Sequence, residues 1–460
     1  MIPFIRHRSW VFYFAAASIA NFPISSAADT LFTADDPRIN YYGRFDFADP
    51  LSPRWNWSGS TIEARFSGSS VGLGLIDGKA DYDIEIDGAV DTVLRTKSDI
   101  ERYDAGGFTD AMHTIRIVQR SENHASAARF KGFYLADGKT LGDPPAKPIR
   151  KIEFIGNSDL VAYGVESTIP SCNSSQVRFS TNTNLSFGSL IAKAFNAQST
   201  ILAWSGKGLV RNWDSPSKRS ATSFTAYYDR TLGSLDTKWD FTQWIPDLVV
   251  IILGWNDFYT SSGDSTMVPD DTMYIGDYHT FISGIYRHYP GTAVLCVSTH
   301  IGHLLDNVKR VVAEETSLLQ HPRVYFAEYP PNDAFTATGC NTHPSPEDHR
   351  LIAKALIDTI SKRLGWDTAK VDVRLIPHSS IGSVGSGRPF HMSMTGQRIS
   401  ISGSLESGTA ISLRLFNGQT VRRERIHGGG RMVFSTAGLP AGAYLIGSKA
   451  LGWKRFAVTR

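Results

Sequence analysis

Four short blocks in this chain of 460 residues hold side chains whose types suit attack on a carbonyl carbon. Ser158, in Gly156-Asn157-Ser158, follows the apolar run Ile152–Ile155, so its hydroxyl is offered at the end of a strand. Gly206, in Trp204-Ser205-Gly206-Lys207-Gly208, follows the run Ile201–Trp204, and a glycine there lets a backbone N–H come close to a reacting oxygen. Asn256, in Gly254-Trp255-Asn256-Asp257, follows six consecutive apolar residues, Leu248–Leu253, and its amide can donate to a developing oxyanion. His343 lies just before Ser345-Pro346-Glu347-Asp348, which reads as an N-cap, a first-turn proline and a capping-box partner. From that place it can serve a serine as general base. Each block alone has an ordinary reading: a turn serine, an Asx turn, a glycine turn, or one of 13 histidines on the surface. Their order along the chain, each at a strand end or before a helix, is what makes them a set.

The elements that must position them alternate. Strands are expected at Ile152–Ile155, Ile201–Trp204, Leu248–Leu253, Ala293–Val297 and Val324–Phe326, with helices over Leu185–Phe195, Leu304–Leu319 and Leu351–Leu364. This alternation predicts an α/β domain with a mostly parallel sheet over 150–368, with ligands at the carboxyl ends of its strands. Residues 35–145 read as all-β. Asp81-Tyr82-Asp83-Ile84-Glu85-Ile86 alternates acidic and apolar residues before the turn signal Asp87-Gly88, the pattern of a half-buried strand entering a hairpin. Thr61–Phe66, Val71–Leu75, His113–Val118 and Phe130–Leu135 are further short strands, which together suggest a β-sandwich of jelly-roll type. Gly142–Pro148 is the linker after them. Residues 388–460 return to short strands after the Ser/Gly-rich stretch Ser379–Gly387 and form a small C-terminal all-β module.

Composition limits the function. With 42% hydrophobic and 11% aromatic residues the chain can fill several cores, which excludes a largely disordered protein. The net charge of +3 argues against nucleic acid as the main partner. It conceals an asymmetry: residues 371–460 hold twelve Lys/Arg and three Asp/Glu, so the tail is +9 and the remainder −6, the mark of a separate module. Arg6, His7 and Arg8, the apolar run Trp10–Ala20 and the small residues Ser25–Ala28 describe a secretory signal peptide over 1–28, cleaved after Ala27 or Ala28. The run is too short for a membrane anchor, and no later stretch is long and apolar enough to span a bilayer. Three cysteines give neither a disulfide framework nor zinc-finger spacing.

Taken together, the Gly-x-Ser, Gly, Gly-x-Asn and His-Pro blocks resemble those of the SGNH (GDSL-type) serine hydrolases. The resemblance narrows to the family 2 carbohydrate esterases, which remove acetyl groups from plant polysaccharides and place a jelly roll before the hydrolase domain. Gly43-Arg44-Phe45-Asp46, His113-Thr114-Ile115, Gln119-Arg120-Ser121-Glu122 and Phe130-Lys131-Gly132-Phe133 are similar to its jelly-roll landmarks, and Ile152–Ser158, Ser205–Asn212 and Pro246–Val250 to its hydrolase blocks. The resemblance spans about 35–365. It implies Ser158 as nucleophile, His343 as general base, and an oxyanion hole made by the backbone N–H groups of Ser158 and Gly206 with the side chain of Asn256. It implies no metal or organic cofactor, and acetylated plant polysaccharide or oligosaccharide as substrate. Two positions depart from the family pattern. Asn157 stands where an Asp is usual, and Cys340 and Asn341 stand where a triad acid is usual. A Ser–His dyad is therefore expected, with His343 oriented by a backbone carbonyl or by Asn341, and Asp333 as the nearest upstream carboxylate. The alternative is a glycan-binding protein with a weak or inactive cleft. Trp255, with Trp204 and Trp213, lies in the cleft loops and is a candidate sugar platform. The resemblance also brings the loops of Cys172 and Cys340 to one cleft rim, where export favours a disulfide, and leaves Cys296 as a buried thiol. The tail resembles the C-terminal sorting modules of some bacterial secreted enzymes; its rivals are a basic glycan- or surface-binding module and a spacer. The protein is expected to be exported, either released or held at the cell surface.

Overall fold

The computed structural model describes residues 29–235 and 237–368, and seven further strands between residues 390 and 458. The proposed signal peptide and the Ser/Gly-rich stretch lie outside the described residues.

The N-terminal sheet has eight strands: β1 (Thr30–Thr33), β2 (Asn40–Tyr42), β3 (Arg54–Trp55), β4 (Thr61–Ile76), β5 (Asp81–Ile86), β6 (Ala89–Arg95), β7 (Arg102–Gln119) and β8 (Ala128–Leu135). Its antiparallel order is β1-β8-β4-β7-β5-β6, with β2 beside β4 and β3 beside β8. The two short strands expected at Thr61–Phe66 and Val71–Leu75 are one long strand, β4, whose register against β7 shifts between Gly68 and Ser70. The strand expected to be half-buried, Asp81–Ile86, is buried on both faces. Its apolar residues Tyr82 and Ile84 pack with Trp55, Phe66 and Ile117. Its acids face cations and amides instead of water: Asp81 pairs with Arg178, Asp83 with Arg120, and Glu85 with Arg116 and Asn184. Buried carboxylates are tolerated only when paired in this way.

A chain crossing without regular structure, held by the Asn40 amide donating to the Pro145 carbonyl (2.8 Å), leads to β9 (Arg150–Gly156). Next come α1 (Ser158–Val161), α2 (Ser174–Ser180), α3 (Phe187–Ala194) and β10 (Ala197–Ala203). A two-stranded ribbon, β11 (Arg230–Leu232) and β12 (Thr237–Lys238), precedes β13 (Leu248–Ile252), α4 (Trp255–Phe258), α5 (Asp271–His288), β14 (Ala293–Ser298), α6 (Leu304–Ser317), β15 (Val324–Glu328) and α7 (Pro346–Leu364). Strands β10-β9-β13-β14-β15, in that order, form an all-parallel sheet. In β13, Val249 and Ile251 face the layer of α5 and α6, with Tyr278, Ile282 and Val308. Leu248, Val250 and Ile252 face the layer of α3 and α7, with Leu190 and Leu356. Both faces are covered, so an unbroken apolar run is what β13 requires. Each such fully buried side chain contributes about 1.5–3 kcal/mol.

The strand order reverses direction at β9, which lies between β10 and β13. In open α/β sheets that reversal opens the ligand crevice beyond the strands' carboxyl ends. The remaining strands, β16 (Phe390–Thr395), β17 (Arg398–Gly403), β18 (Ala410–Leu415), β19 (Thr420–Arg425), β20 (Arg431–Ser435), β21 (Gly442–Ser448) and β22 (Gly452–Val458), form antiparallel sheets ordered β16-β17-β20 and β19-β18-β21-β22.

Candidate active site

Register places three of the four blocks side by side. Gly156 of β9 pairs with Ala203 of β10 on one side and Ile252 of β13 on the other. Ser158, two residues past Gly156, is therefore flanked by Gly206, three past Ala203, and by Asn256, four past Ile252. Ser158 opens α1, where Asn157 is the N-cap and its side-chain oxygen accepts the Asp159 N–H (3.1 Å). An asparagine does this capping work as well as an aspartate, which explains why the departure at this position leaves the turn intact.

The two outer loops are tied together. The Asn256 amide donates one of its two N–H groups to the Lys207 carbonyl (2.7 Å). Asp257, next in sequence, is buried, and its carboxylate accepts three backbone N–H groups, from Leu209 (2.9 Å), Val210 (2.6 Å) and Arg211 (2.8 Å). Burial pushes this carboxyl up to about 6, against the pull of those three bonds. Gly208 must be glycine: a Cβ there would meet the Arg211 carbonyl oxygen at 1.9 Å and the Asp257 carboxylate at 2.4 Å. Gly254 opens α4 at φ 134°, and a Cβ would strike Leu304 at 2.3 Å.

His343 arrives from the far side of the sheet, after β15, on a loop fastened to the one that follows α1. Cys340 bonds to Cys172 with Cα atoms 5.5 Å apart, as expected, and Cys296 is a buried free thiol. The Cys340 N–H donates to the Gly164 carbonyl (3.1 Å), and the Asn341 N–H to that of Pro170 (2.8 Å). The Asp348 carboxylate accepts the N–H groups of Ser345, Thr336 and Ala337, and Ser345 caps α7 with Pro346 in its first turn. Asn341 and Thr342 both take left-handed backbone, φ 52° and 63°, which is strained for a β-branched residue. This bend brings His343 Nδ1 to 2.9 Å from the Cys340 carbonyl oxygen. A carbonyl only accepts, so the proton sits on Nδ1 and Nε2 is left as an acceptor. The imidazole packs on the Tyr163 ring, centroids 4.5 Å apart. Burial pushes the carboxyl of Asp159, in α1, up, and His343 is near enough to act against that rise.

Asn341 does not reach His343. Its oxygen accepts the Cys172 N–H and its amide faces the Tyr163 hydroxyl. Asp333 lies exposed in the turn Asn332–Ala334. Trp255 is half-buried in a narrow crevice with Asn157, Asp159, Thr299 and Leu304. Trp213, 53% exposed, stacks on Tyr259 and donates its backbone N–H to the Gly206 carbonyl. Among the described residues no group of three or more His, Cys, Asp or Glu is placed to hold a metal ion. No described helix is long and apolar enough to cross a membrane. Sequence reasoning missed Asp257 as an anchor; its place next to Asn256 was its only sequence signal.

Residues 41–145 match the family described as Carbohydrate esterase 2 N-terminal. A solved family two carbohydrate esterase from Clostridium thermocellum, in complex with cellohexaose, is 31% identical, with 71% of this chain and 99% of that chain covered and a TM-score of 0.64. The chain is a family 2 carbohydrate esterase. Cellulase/esterase CelE of Acetivibrio thermocellus is 34% identical to this esterase over 342 residues, 72% of this chain and 40% of CelE. The esterase thus spans well under half of that relative's length. An acetylxylan esterase / glucomannan deacetylase of Cellvibrio japonicus is 29% identical over 330 residues, 69% of this chain and 87% of the relative.

Proposed function

We propose that this family 2 esterase removes O-acetyl groups from hemicellulose, acetylated xylan or glucomannan, through an acetyl-enzyme on Ser158. The observation that carries this reading is the hydrogen bond from His343 Nδ1 to the Cys340 carbonyl, which fixes the imidazole tautomer a serine needs without any carboxylate. The Ser158 oxygen attacks the acetyl carbon while its proton passes to His343 Nε2. The carbonyl electron pair moves onto oxygen, which accepts the Ser158 and Gly206 backbone N–H groups and the second side-chain N–H of Asn256. The tetrahedral adduct collapses, the sugar oxygen leaves with the proton from His343, and Ser158 carries the acetyl group. Water then attacks with His343 again as base, and acetate and free Ser158 result.

The substrate class is supported by the Cellvibrio relative named for acetylxylan and glucomannan and by the Clostridium neighbour bound to cellohexaose. We read residues 35–145 as a jelly-roll unit, 150–368 as the catalytic unit and 388–460 as a basic sorting or binding module. Removal of 1–28 on export fits the Cys172–Cys340 bond, which needs an oxidising compartment. The test is acetate release from acetylated xylan and glucomannan by the wild type and by Ser158→Ala. Acetate from the wild type alone supports the reading. Binding of either polysaccharide with no acetate released overturns it in favour of a glycan-binding role.

A further inference from the structure

The residue that holds the oxyanion-hole glycine does not come from the parallel sheet. Gly206 has open space around its Cα: an added Cβ would meet only the Trp213 Cβ, at 4.0 Å. Its φ of 79° is therefore imposed by its neighbours in the chain. On the C-terminal side the loop is pinned through Leu209, Val210 and Arg211 by Asp257. On the N-terminal side the pin is Glu122, three residues past the end of β7. One carboxylate oxygen of Glu122 accepts the Ser205 N–H at 2.7 Å, and the other accepts the Ser205 hydroxyl at 2.5 Å. Two residues further on, the His124 ring stacks on Trp204 with centroids 3.9 Å apart and planes 18° apart, and its Nε2 lies 3.3 Å from the same carboxylate. The stretch Arg120–His124 thus grips both residues that precede Gly206.

The same stretch braces the nucleophile side. The Arg120 guanidinium donates to the Thr181 carbonyl and pairs with Asp83 and Glu166, and the Thr183 N–H donates to the Arg120 carbonyl. Thr183 in turn donates its hydroxyl to the carbonyl of Val161 at the end of α1 (2.8 Å). The phenol of Tyr163, the ring that packs on His343, is raised mainly by burial, and the nearby Glu122 adds to that rise.

We infer that Glu122 is a positioning residue for deacetylation, supplied by the N-terminal sheet, whose two bonds to Ser205 aim the Gly206 N–H at the oxyanion. The Gly206 N–H belongs to the peptide plane shared with Ser205. Fixing both the amide and the side chain of Ser205 leaves little freedom to rotate that plane. A carboxylate accepts the two hydrogens on two separate oxygens, whereas a side-chain amide offers a single accepting atom for both. The donor matters most when charge has developed on the oxygen, so Glu122 should act on kcat and leave substrate binding nearly alone.

This inference rests on the esterase reading, so the experiment first requires that the wild type turn over an aryl acetate and that Ser158→Ala not; failure there overturns that reading and not the role of Glu122. Glu122→Gln, Glu122→Ala and Ser205→Ala are then compared by kcat, KM, thermal midpoint and the acetyl-enzyme burst that counts competent sites. The expectation is a fall in kcat per competent site of roughly 10- to 100-fold for Glu122→Ala, the size a misplaced donor brings, with KM within about 3-fold. Glu122→Gln, which keeps one acceptor, should lie between Glu122→Ala and the wild type. Glu122→Ala combined with Ser205→Ala should be no slower than Glu122→Ala alone, because the hydroxyl arm is common to both. Unchanged kcat per site in Glu122→Ala, a loss explained by fewer competent sites, or a loss confined to KM would each overturn it. Ser205→Ala, which spares the sheet contact, keeps the test open if Glu122→Ala does not fold.

Discussion

The two sides of Ser158 are held by different means. On the base side the loop of His343 is closed covalently, by Cys172–Cys340, and the imidazole is aimed by a backbone carbonyl. On the oxyanion side the loop of Gly206 has no covalent tie and is held by non-covalent contacts, chief among them hydrogen bonds to two carboxylates, Asp257 and Glu122. The difference follows from what each group must do. A base has to keep one ring orientation while its proton comes and goes, so a fixed main-chain acceptor suits it. An oxyanion donor has to be pre-aimed to fractions of an ångström, and several short bonds fix a peptide plane better than one distant link.

The largest effect expected is on the base itself. His343→Ala should lower kcat/KM on an aryl acetate by about 10⁴-fold or more, the range for removing one member of a serine hydrolase's catalytic unit. Near-normal turnover would sink the whole site assignment. Second comes the oxyanion side: Asn256→Ala should cost about 10²–10³-fold in kcat. Asp257→Asn, which turns an accepting oxygen into a donor facing backbone N–H groups, should lose activity in the same direction with Ser158 still reactive. If Asp257→Asn keeps full kcat, the loop is not set by that carboxylate.

Third, opening the disulfide should hurt the base side selectively. Reduction, or Cys172→Ser, should lower kcat by about 10-fold through a looser aim and lower the thermal midpoint, since a native bond of this kind contributes typically 2–4 kcal/mol. Equal activity before and after reduction would show that the carbonyl is held without it.

The fourth effect is on stability with pH. His349 lies buried under the base loop, its Nδ1 accepting the Phe187 N–H, and burial pushes it from 6.5 down to about 3. Below about pH 6.5 the unfolded chain takes up a proton that the folded one refuses until about pH 3, so stability is full above 6.5 and is lost as pH falls through that window. The thermal midpoint of the wild type should drop between pH 7 and pH 4, and His349→Asn, which keeps an acceptor without a titrating ring, should drop less. An equal or steeper drop in the variant would assign the acid sensitivity to other groups. Smallest of all, Asn341→Ala and Asp333→Ala should stay within about 3-fold of wild-type kcat/KM, whereas a ~10⁴-fold fall for Asp333→Ala would replace the dyad by a triad.

The sequence shows the proposed catalytic set because strand ends announce it: Leu248–Leu253 is visibly a buried strand, and Asn256 must emerge where it stops. It does not show what holds the set. The partners of Ser205 and Val210 lie 83 and 47 residues away, and no local pattern marks them. Asp81, Asp83 and Glu85 look like the solvent face of a strand because the cations that cover them are supplied elsewhere, by Arg178, Arg120 and Arg116. Helix α5 is hidden for another reason. Its buried residues Tyr274, Tyr278, Ile282 and Ile285 keep helical spacing, but Gly276 and Gly284 among them lower the helix propensity of the segment.

The carbonyl that aims His343 belongs to a half-cystine whose partner lies 168 residues earlier in the chain. Between the two come four of the five parallel strands. A chain still emerging, or one trapped with its sheet unassembled, cannot close that link and so cannot present a correctly aimed base. Full turnover, on the proposed mechanism, therefore marks completed maturation, reached after Cys172 and Cys340 have met. A pool of enzyme sampled during folding should show ester cleavage appear late, in step with the loss of the second free thiol and behind the first gain of sheet signal.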